Sequence, residues 1–148
     1  VLLQHADRAR VRVDQVRRLL HDLVEHGGRV ELGRQEAARA RQLLRECARR
    51  IGLSCRGSDI VGRYGGEEFV LLLPGTDGEE AGTTGDKIRR VLSERPVQAG
   101  EVEIEVTASV GAADWDGSMD VARLYARADD ALYDAKRAGR NRTVLHRA

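Results

Sequence analysis

Residues 56 to 74, Arg-Gly-Ser-Asp-Ile-Val-Gly-Arg-Tyr-Gly-Gly-Glu-Glu-Phe-Val-Leu-Leu-Leu-Pro, constrain the fold more than any other stretch of the chain. Ile60 and Val61 open a strand-like run, Gly65-Gly66 is a turn signal of the kind that joins antiparallel strands, and Phe69 to Leu73 is a β-favouring run ended by Pro74. The spacing predicts a β-hairpin. Glu67 and Glu68 follow two residues without a Cβ, so the backbone at the tip can approach a bulky anion. Adjacent carboxylates on a strand point to opposite faces, so only one lines a given site. Mg²⁺ takes one or two protein carboxylates and fills its other positions with water and substrate phosphates, so one Glu and a second acid elsewhere suffice for a divalent cation. Gly-Gly-Glu-Glu is also ordinary composition for a solvated hairpin tip, and from chemistry alone both readings stand.

The rest of the chain supplies elements to pack on this hairpin. Residues 1 to 3 are a candidate strand, and Val16, Leu19, Leu20, Leu23 and Val24 recur at the spacing of an amphipathic helix that stops at Gly27-Gly28. Residues 29 to 34 are either a loop or one brief strand at Val30 to Leu32. Ala40, Leu43, Leu44, Cys47, Ala48 and Ile51 then mark a clear helix, with Arg and Glu on its other face. Gly78 to Ser93 reads as a helix with Ile88, Val91 and Leu92 on one side, weakened by Gly82 and Gly85 and ended by Pro96. Glu101 to Val106 alternates acid and apolar, which predicts a strand with Val102, Ile104 and Val106 facing inward, continued by Thr107 to Val110. Asp120 caps a helix with Val121, Leu124, Ala128, Leu132 and Ala135 inside, Gly139 ends it, and Thr143 to Leu145 is an edge strand. Interleaved helices and strands with a hairpin give an α/β (α+β) sandwich with a mixed sheet.

At 148 residues and 41% hydrophobic content the chain fits one domain. A net charge of +1 with 33% charged residues provides no global field for DNA or an anionic membrane, so partners are recognised locally. Aromatics at 3% offer few platforms for stacking bases, which argues against a general single-strand binder. Cys47 and Cys55 make neither a disulfide framework nor a metal set, and both read as reduced, Cys47 as a small buried hydrophobe. No apolar run reaches the length of a membrane span and no signal-peptide pattern opens the chain, so a cytoplasmic location is expected. The start at Val rather than Met suggests a piece of something longer.

Three motifs, in order and at the right separations, carry a specific resemblance. Arg63-Tyr64-Gly65-Gly66-Glu67-Glu68-Phe69 resembles the signature hairpin of the GGDEF family of diguanylate cyclases, in the variant with Glu at the third position. Arg56-Gly-Ser-Asp59 stands at the spacing of that family's RxxD inhibitory site. Ala128 to Lys136 and Gly139 to Arg142 resemble its C-terminal helix and exit. The resemblance covers about residues 35 to 146 and implies two parts: a divergent N-terminal part, 1–34, with a short strand and helix, and a core, 35–148. The implied fold is a central, largely antiparallel sheet flanked by helices, similar to nucleotidyl cyclases and polymerase palms.

The family joins two GTP molecules into cyclic di-GMP with release of pyrophosphate, using Mg²⁺ or Mn²⁺, and acts as a homodimer because each subunit presents one GTP. The resemblance implies that Glu67 is a metal ligand near the attacking hydroxyl and that Glu68 assists around the ribose or metal. It implies that Gly65 and Gly66 leave room for phosphates, and that Lys136 and Arg140 hold the triphosphate. Both cations also suit a helix's last turn with no ligand, because of the macrodipole. Arg63 either binds phosphate or pairs with Glu68 or Asp59. Arg56 and Asp59 are implied to hold a stacked product dimer, for which the planar guanidinium of Arg is suited, while Gly57-Ser58-Asp59 also reads as a plain turn.

The front of the chain departs from the pattern. Where the family's first strand ends in a DxD-like acid pair, Val1 to Asp7 offers none, and the opening motif around LTGLxNRR is absent. With Asp7 in the pair's second place as a metal ligand, His5 takes the other ligand position, Val13 stands where an Asn belongs and Asp22 where the guanine-reading Asp belongs. Slow or absent turnover of GTP is therefore expected, and the alternative is a catalytically degenerate domain that binds cyclic di-GMP or GTP as a regulatory module. An upstream sensory domain would supply the input signal.

Overall fold

The computed structural model describes residues 8–14 and 34–146. The expected strand at 1–3, the helix over 16–24 and most of the ambiguous segment 29–34 lie outside them. In chain order the elements are β1 (Arg8–Asp14), α1 (Arg34–Ser54), β2 (Ile60–Gly65), β3 (Glu68–Pro74), α2 (Gly78–Ser93), β4 (Val97–Ala99), β5 (Val102–Ile104), β6 (Ser109–Ala113), α3 (Val121–Arg137) and β7 (Thr143–Leu145). A five-stranded sheet has the order β2-β3-β1-β6-β7, and β4 and β5 form a separate two-stranded sheet. The β1–β3, β1–β6 and β2–β3 ladders are antiparallel and β6–β7 is parallel, which gives the mixed, largely antiparallel sheet expected.

The central strand is the one the apolar pattern does not announce. Arg8-Ala9-Arg10-Val11-Arg12-Val13-Asp14 alternates with period two, but its charged positions read as solvated chain rather than as the middle of a sheet. Three other expectations are corrected. Val121 is 61% exposed rather than inside, because it is the first residue of α3 and lies off its buried stripe. Val102 is 42% exposed rather than inward, because it sits beside the turn that joins the three-residue strands β4 and β5. Residues 105–108 leave the strand, so Ser109–Ala113 is a new strand of the main sheet rather than a continuation.

The sheet is covered on both faces. Phe69, Leu71 and Leu73 of β3, with Val110 and Ala112 of β6, share one cluster with Leu43, Cys47 and Ile51 of α1 and Ala81, Ile88 and Leu92 of α2. Residues 43, 47 and 51 repeat every fourth position, so α1 buries a single stripe, and a fully buried Leu or Ile contributes about 1.5–3 kcal/mol relative to exposure. Arg50 joins the two helices: its guanidinium donates to the carbonyls of Leu92, Arg95 and Pro96, supplying acceptors at the end of α2 with a charged donor, and to Glu46. Asp77 caps α2 by accepting from the Glu80 amide at 2.8 Å, and Asp120 caps α3 by accepting from the Arg123 amide at 2.8 Å.

On the opposite face, α3 lies on β6 through bare backbone. A Cβ at Gly111 would stand 2.2 Å from the Ala128 carbonyl oxygen and 2.3 Å from the Leu132 nitrogen, so only glycine admits the helix at this depth. Gly111→Ala is expected to cost about 3 kcal/mol or more, since the obstructing atoms are backbone. Gly82→Ala, in mid-α2 with nothing within 4 Å of the added carbon, is expected to stabilise by about 0.5–1 kcal/mol. Urea denaturation of the two variants checks both signs.

Glu46 accepts from Arg49 and Arg50, and these hydrogen bonds hold its carboxyl down at about 2 against an ordinary 4.5. A depressed carboxylate contributes stability that is present above pH 4.5 and lost as pH falls towards 2. Glu46→Gln is expected to be less stable than the parent at neutral pH, with the gap closing across that window in a denaturation series.

Candidate functional site

The hairpin forms as the sequence predicts, with a register shift between Arg63 and Gly65 that leaves Tyr64 as a bulge. Gly65 pairs with Glu68, and Gly66 turns the chain at φ +44°, a value that favours glycine. Gly65 differs: its φ is not in that region, and a Cβ there would meet nothing within 4 Å. Arg63 donates through Nε and Nη2 to the Gly66 carbonyl, so its guanidinium braces the turn from within. Tyr64 rests on Tyr125 of α3, with ring centroids 5.2 Å apart and planes at 38°. Glu67 and Glu68 are half-buried.

Strand register fixes what surrounds this tip. β1 begins at Arg8 opposite Pro74 and ends at Asp14, which stands opposite Glu68 on β3 and Ser109 on β6. One end of the sheet therefore gathers Gly65, Glu68, Asp14 and Ser109 in one row across four strands. The end of the central strand that faces the hairpin tip is thus carried by Asp14, an acid that the alternation of β1 places and that the apolar pattern missed. Asp7, His5 and Asp22 lie outside the described residues.

The exit of α3 comes to the same end. β7 begins at Thr143 opposite Val110, and the Val110 amide donates to the Arg142 carbonyl at 2.9 Å. Residues 138–142 therefore turn beside the row that holds Asp14 and Glu68. The Arg140 amide donates to the Ala135 carbonyl at 3.0 Å, closing the helix with a six-to-one bond, and Gly139 takes φ +108°. Arg140 itself sits at φ 60° and Asn141 at φ 45°. A left-handed arginine costs about 1–2 kcal/mol and is the kind of strain that functional segments hold. Lys136 is half-buried in the last turn, and Arg137 lies over the ring of Tyr133 at 5.7 Å.

Arg56 and Asp59 sit just before the hairpin's other end, Ile60, which is about 17 Å from Gly65 along β2 at roughly 3.3 Å per residue. The Asp59 carboxylate accepts from the Arg56 amide at 2.6 Å, and the Asp59 amide donates to the Arg56 carbonyl at 3.1 Å. One carboxylate oxygen thus closes the turn while the other, Oδ1, is buried with no partner. Cys55 beside it has its thiol pushed up by burial and by Asp59, and burial pushes Cys47 up to about 11, so both stay protonated at neutral pH. Among the described residues no group of three or more His, Cys, Asp or Glu stands ready to hold a metal, and no helix is long and apolar enough to cross a membrane.

A mixed sheet with helices on both faces, and a Gly-Gly-acid turn beside the end of its central strand, define a domain of the nucleotidyl-cyclase and palm type. The family model for the diguanylate cyclase GGDEF domain matches residues 37–142, and the chain belongs to that family. Over 108 residues the chain is 39% identical to diguanylate cyclase DosC of Escherichia coli K12, across 72% of this chain and 24% of that protein. The GGDEF domain of DgcB from Caulobacter crescentus, solved in complex with c-di-GMP, aligns with a TM-score of 0.77 at 25% identity over 97% of this chain and 80% of that one. The active GGEEF domain of a diguanylate cyclase from Vibrio cholerae aligns with a TM-score of 0.76 at 26% identity over 96% and 86%. The chain spans about a quarter of the length of the curated relatives it matches.

Because Arg56 lends the turn only its main chain while Asp59 lends its carboxylate, their truncations should separate. Asp59→Ala is expected to destabilise the domain by about 1.5–3 kcal/mol, the range for a hydrogen bond to a charged group. Arg56→Ala should leave thermal unfolding unchanged, which calorimetry of the two variants checks.

Proposed function

We propose that this chain is a diguanylate cyclase domain that joins two GTP molecules into cyclic di-GMP with release of pyrophosphate, restrained by product bound at Arg56 and Asp59. The observation that carries the reading is the register that puts Asp14 across from Glu68, one residue from Glu67. It supports a second acid, at the end of the central strand next to the turn, in place of the Asp7 that the sequence pattern offered.

Glu67 and Asp14 are the residues that would hold Mg²⁺ or Mn²⁺, and carboxylates with no Cys or His among their neighbours in the row suit a hard divalent cation. When bound, the metal neutralises charge on the transferring phosphoryl group and helps to activate the attacking hydroxyl. The work left to the chain is positioning. Gly65 lacks a Cβ where neither φ nor any neighbour demands it, which favours close approach of a phosphate to the tip. Arg63, spent on the Gly66 carbonyl, keeps the turn that presents Glu67, and Glu68 lies within the row to assist at the ribose or metal. Lys136 and Arg140 hold the triphosphate at the same end of the sheet, and the left-handed backbone of Arg140 favours this role over simple compensation of the helix dipole. Asp22 reads guanine. Each subunit presents one GTP, so the working form is a homodimer. A cytoplasmic location and an upstream sensory domain accompany the reading.

A second reading, a domain that binds cyclic di-GMP without making it, draws on β1 ending in one acid followed by Gln15 and Val16 rather than in an acid pair. The unpartnered Asp59 oxygen favours a bound donor at that site under either reading. Incubation with GTP and Mg²⁺ or Mn²⁺, with chromatography for cyclic di-GMP, separates the two. Glu67→Gln and Asp14→Asn are each expected to lower product formation by roughly a thousandfold, the equivalent of about 4 kcal/mol. Cyclic di-GMP binding by calorimetry is expected to survive both substitutions and to vanish in Arg56→Ala. A parent protein that binds cyclic di-GMP but forms none establishes the second reading.

A further inference from the structure

We infer that Tyr125 is a positioning residue for the acidic turn, acting through the ring of Tyr64. The inference rests on the cyclase reading for its kinetic consequence but not for its structural one. Two consecutive glycines leave the tip cheap to deform, and neither would carry a Cβ into contact with anything within 4 Å. The turn therefore takes nothing from packing at these two positions. Among its supports are Arg63 on the Gly66 carbonyl, which is internal to the hairpin, and Tyr64 on Tyr125, which ties the hairpin to α3. The bulge between Arg63 and Gly65 takes Tyr64 out of the strand register, and its ring lies against that of Tyr125.

Tyr125 lies on the helix whose far end carries Lys136. Eleven residues at 1.5 Å each set the two about 16 Å apart along one rigid rod. The same helix is locked to the sheet at Gly111. One element therefore fixes the acid-bearing turn at one end and the cations of the triphosphate at the other, so the spacing between the two halves of the site is set by Tyr125 rather than by the hairpin's own turn. Tyr64 remains 61% exposed, so the contact serves placement more than core burial.

The test compares Tyr125→Ala and Tyr125→Phe by NMR relaxation and by turnover. In Tyr125→Ala, backbone order parameters at Gly65, Gly66 and Glu67 are expected to fall from about 0.85 towards 0.6, while those of α1 and β6 hold. kcat is expected to fall by up to about 100-fold, the scale of a 1 Å misplacement, with KM for GTP little changed. Tyr125→Phe keeps the ring and is expected to restore both. Unchanged order parameters at the tip in Tyr125→Ala overturn the inference. If that variant loosens throughout, the exposed Tyr64→Ala decides: a mobile tip on an intact core supports the contact, and a rigid tip overturns it. A parent protein that makes no cyclic di-GMP strikes the cyclase reading alone, because the relaxation comparison still decides the contact.

Discussion

The structure depends first on the absence of one carbon atom. With no Cβ at Gly111, the backbone of α3 descends until Ala128 and Leu132 would touch that missing atom, and Ala128, Ala131 and Ala135 keep the helix slim along the buried side. Any side chain at this point of β6 would lift the helix off the sheet. Its start would then lose Tyr64, and its end would lose the turn into β7 that sets residues 138–142 beside Asp14 and Glu68. A single steric allowance in the sheet thus governs the distance between the acidic turn and the basic exit.

Much of this was legible in the sequence, for identifiable reasons. The hairpin announces itself because turn chemistry and β-favouring runs coincide, and α2 and α3 announce themselves through Asp77, Asp120 and the spacing of their buried residues. β1 was not legible. Its period of two is intact, but arginine at alternate positions inverts the usual signature of a central strand, in which both faces are apolar. Missing β1 also hid Asp14, whose significance is positional and appears only once the ladder with β3 is known. Val102 failed for the opposite reason: a clean alternation predicted burial, but Val102 sits beside the turn of a two-stranded hairpin whose core contacts are made by Val97 and Ile104.

The two ends of the β2–β3 hairpin are built on different principles. At the tip, glycine leaves space and a side chain, Arg63, restores order by gripping a carbonyl. At the base, Asp59 spends one carboxylate oxygen on the turn and leaves the other buried without a donor, an arrangement that costs stability unless something supplies one. The tip is open, and the base is electrostatically incomplete. Under the proposed function these conditions suit the entry of a phosphate at the tip and the binding of a donor at the base.

Arg50 reads only main-chain oxygens at the corner between α2 and β4, those of Leu92, Arg95 and Pro96. Every residue type presents the same backbone carbonyl, so the corner's side chains can be rewritten without disturbing the clamp. Arg50 could then stay fixed while the side chains of the corner drift, and the trace of paired change it leaves would point to Glu46 on its own helix rather than to the corner it fastens.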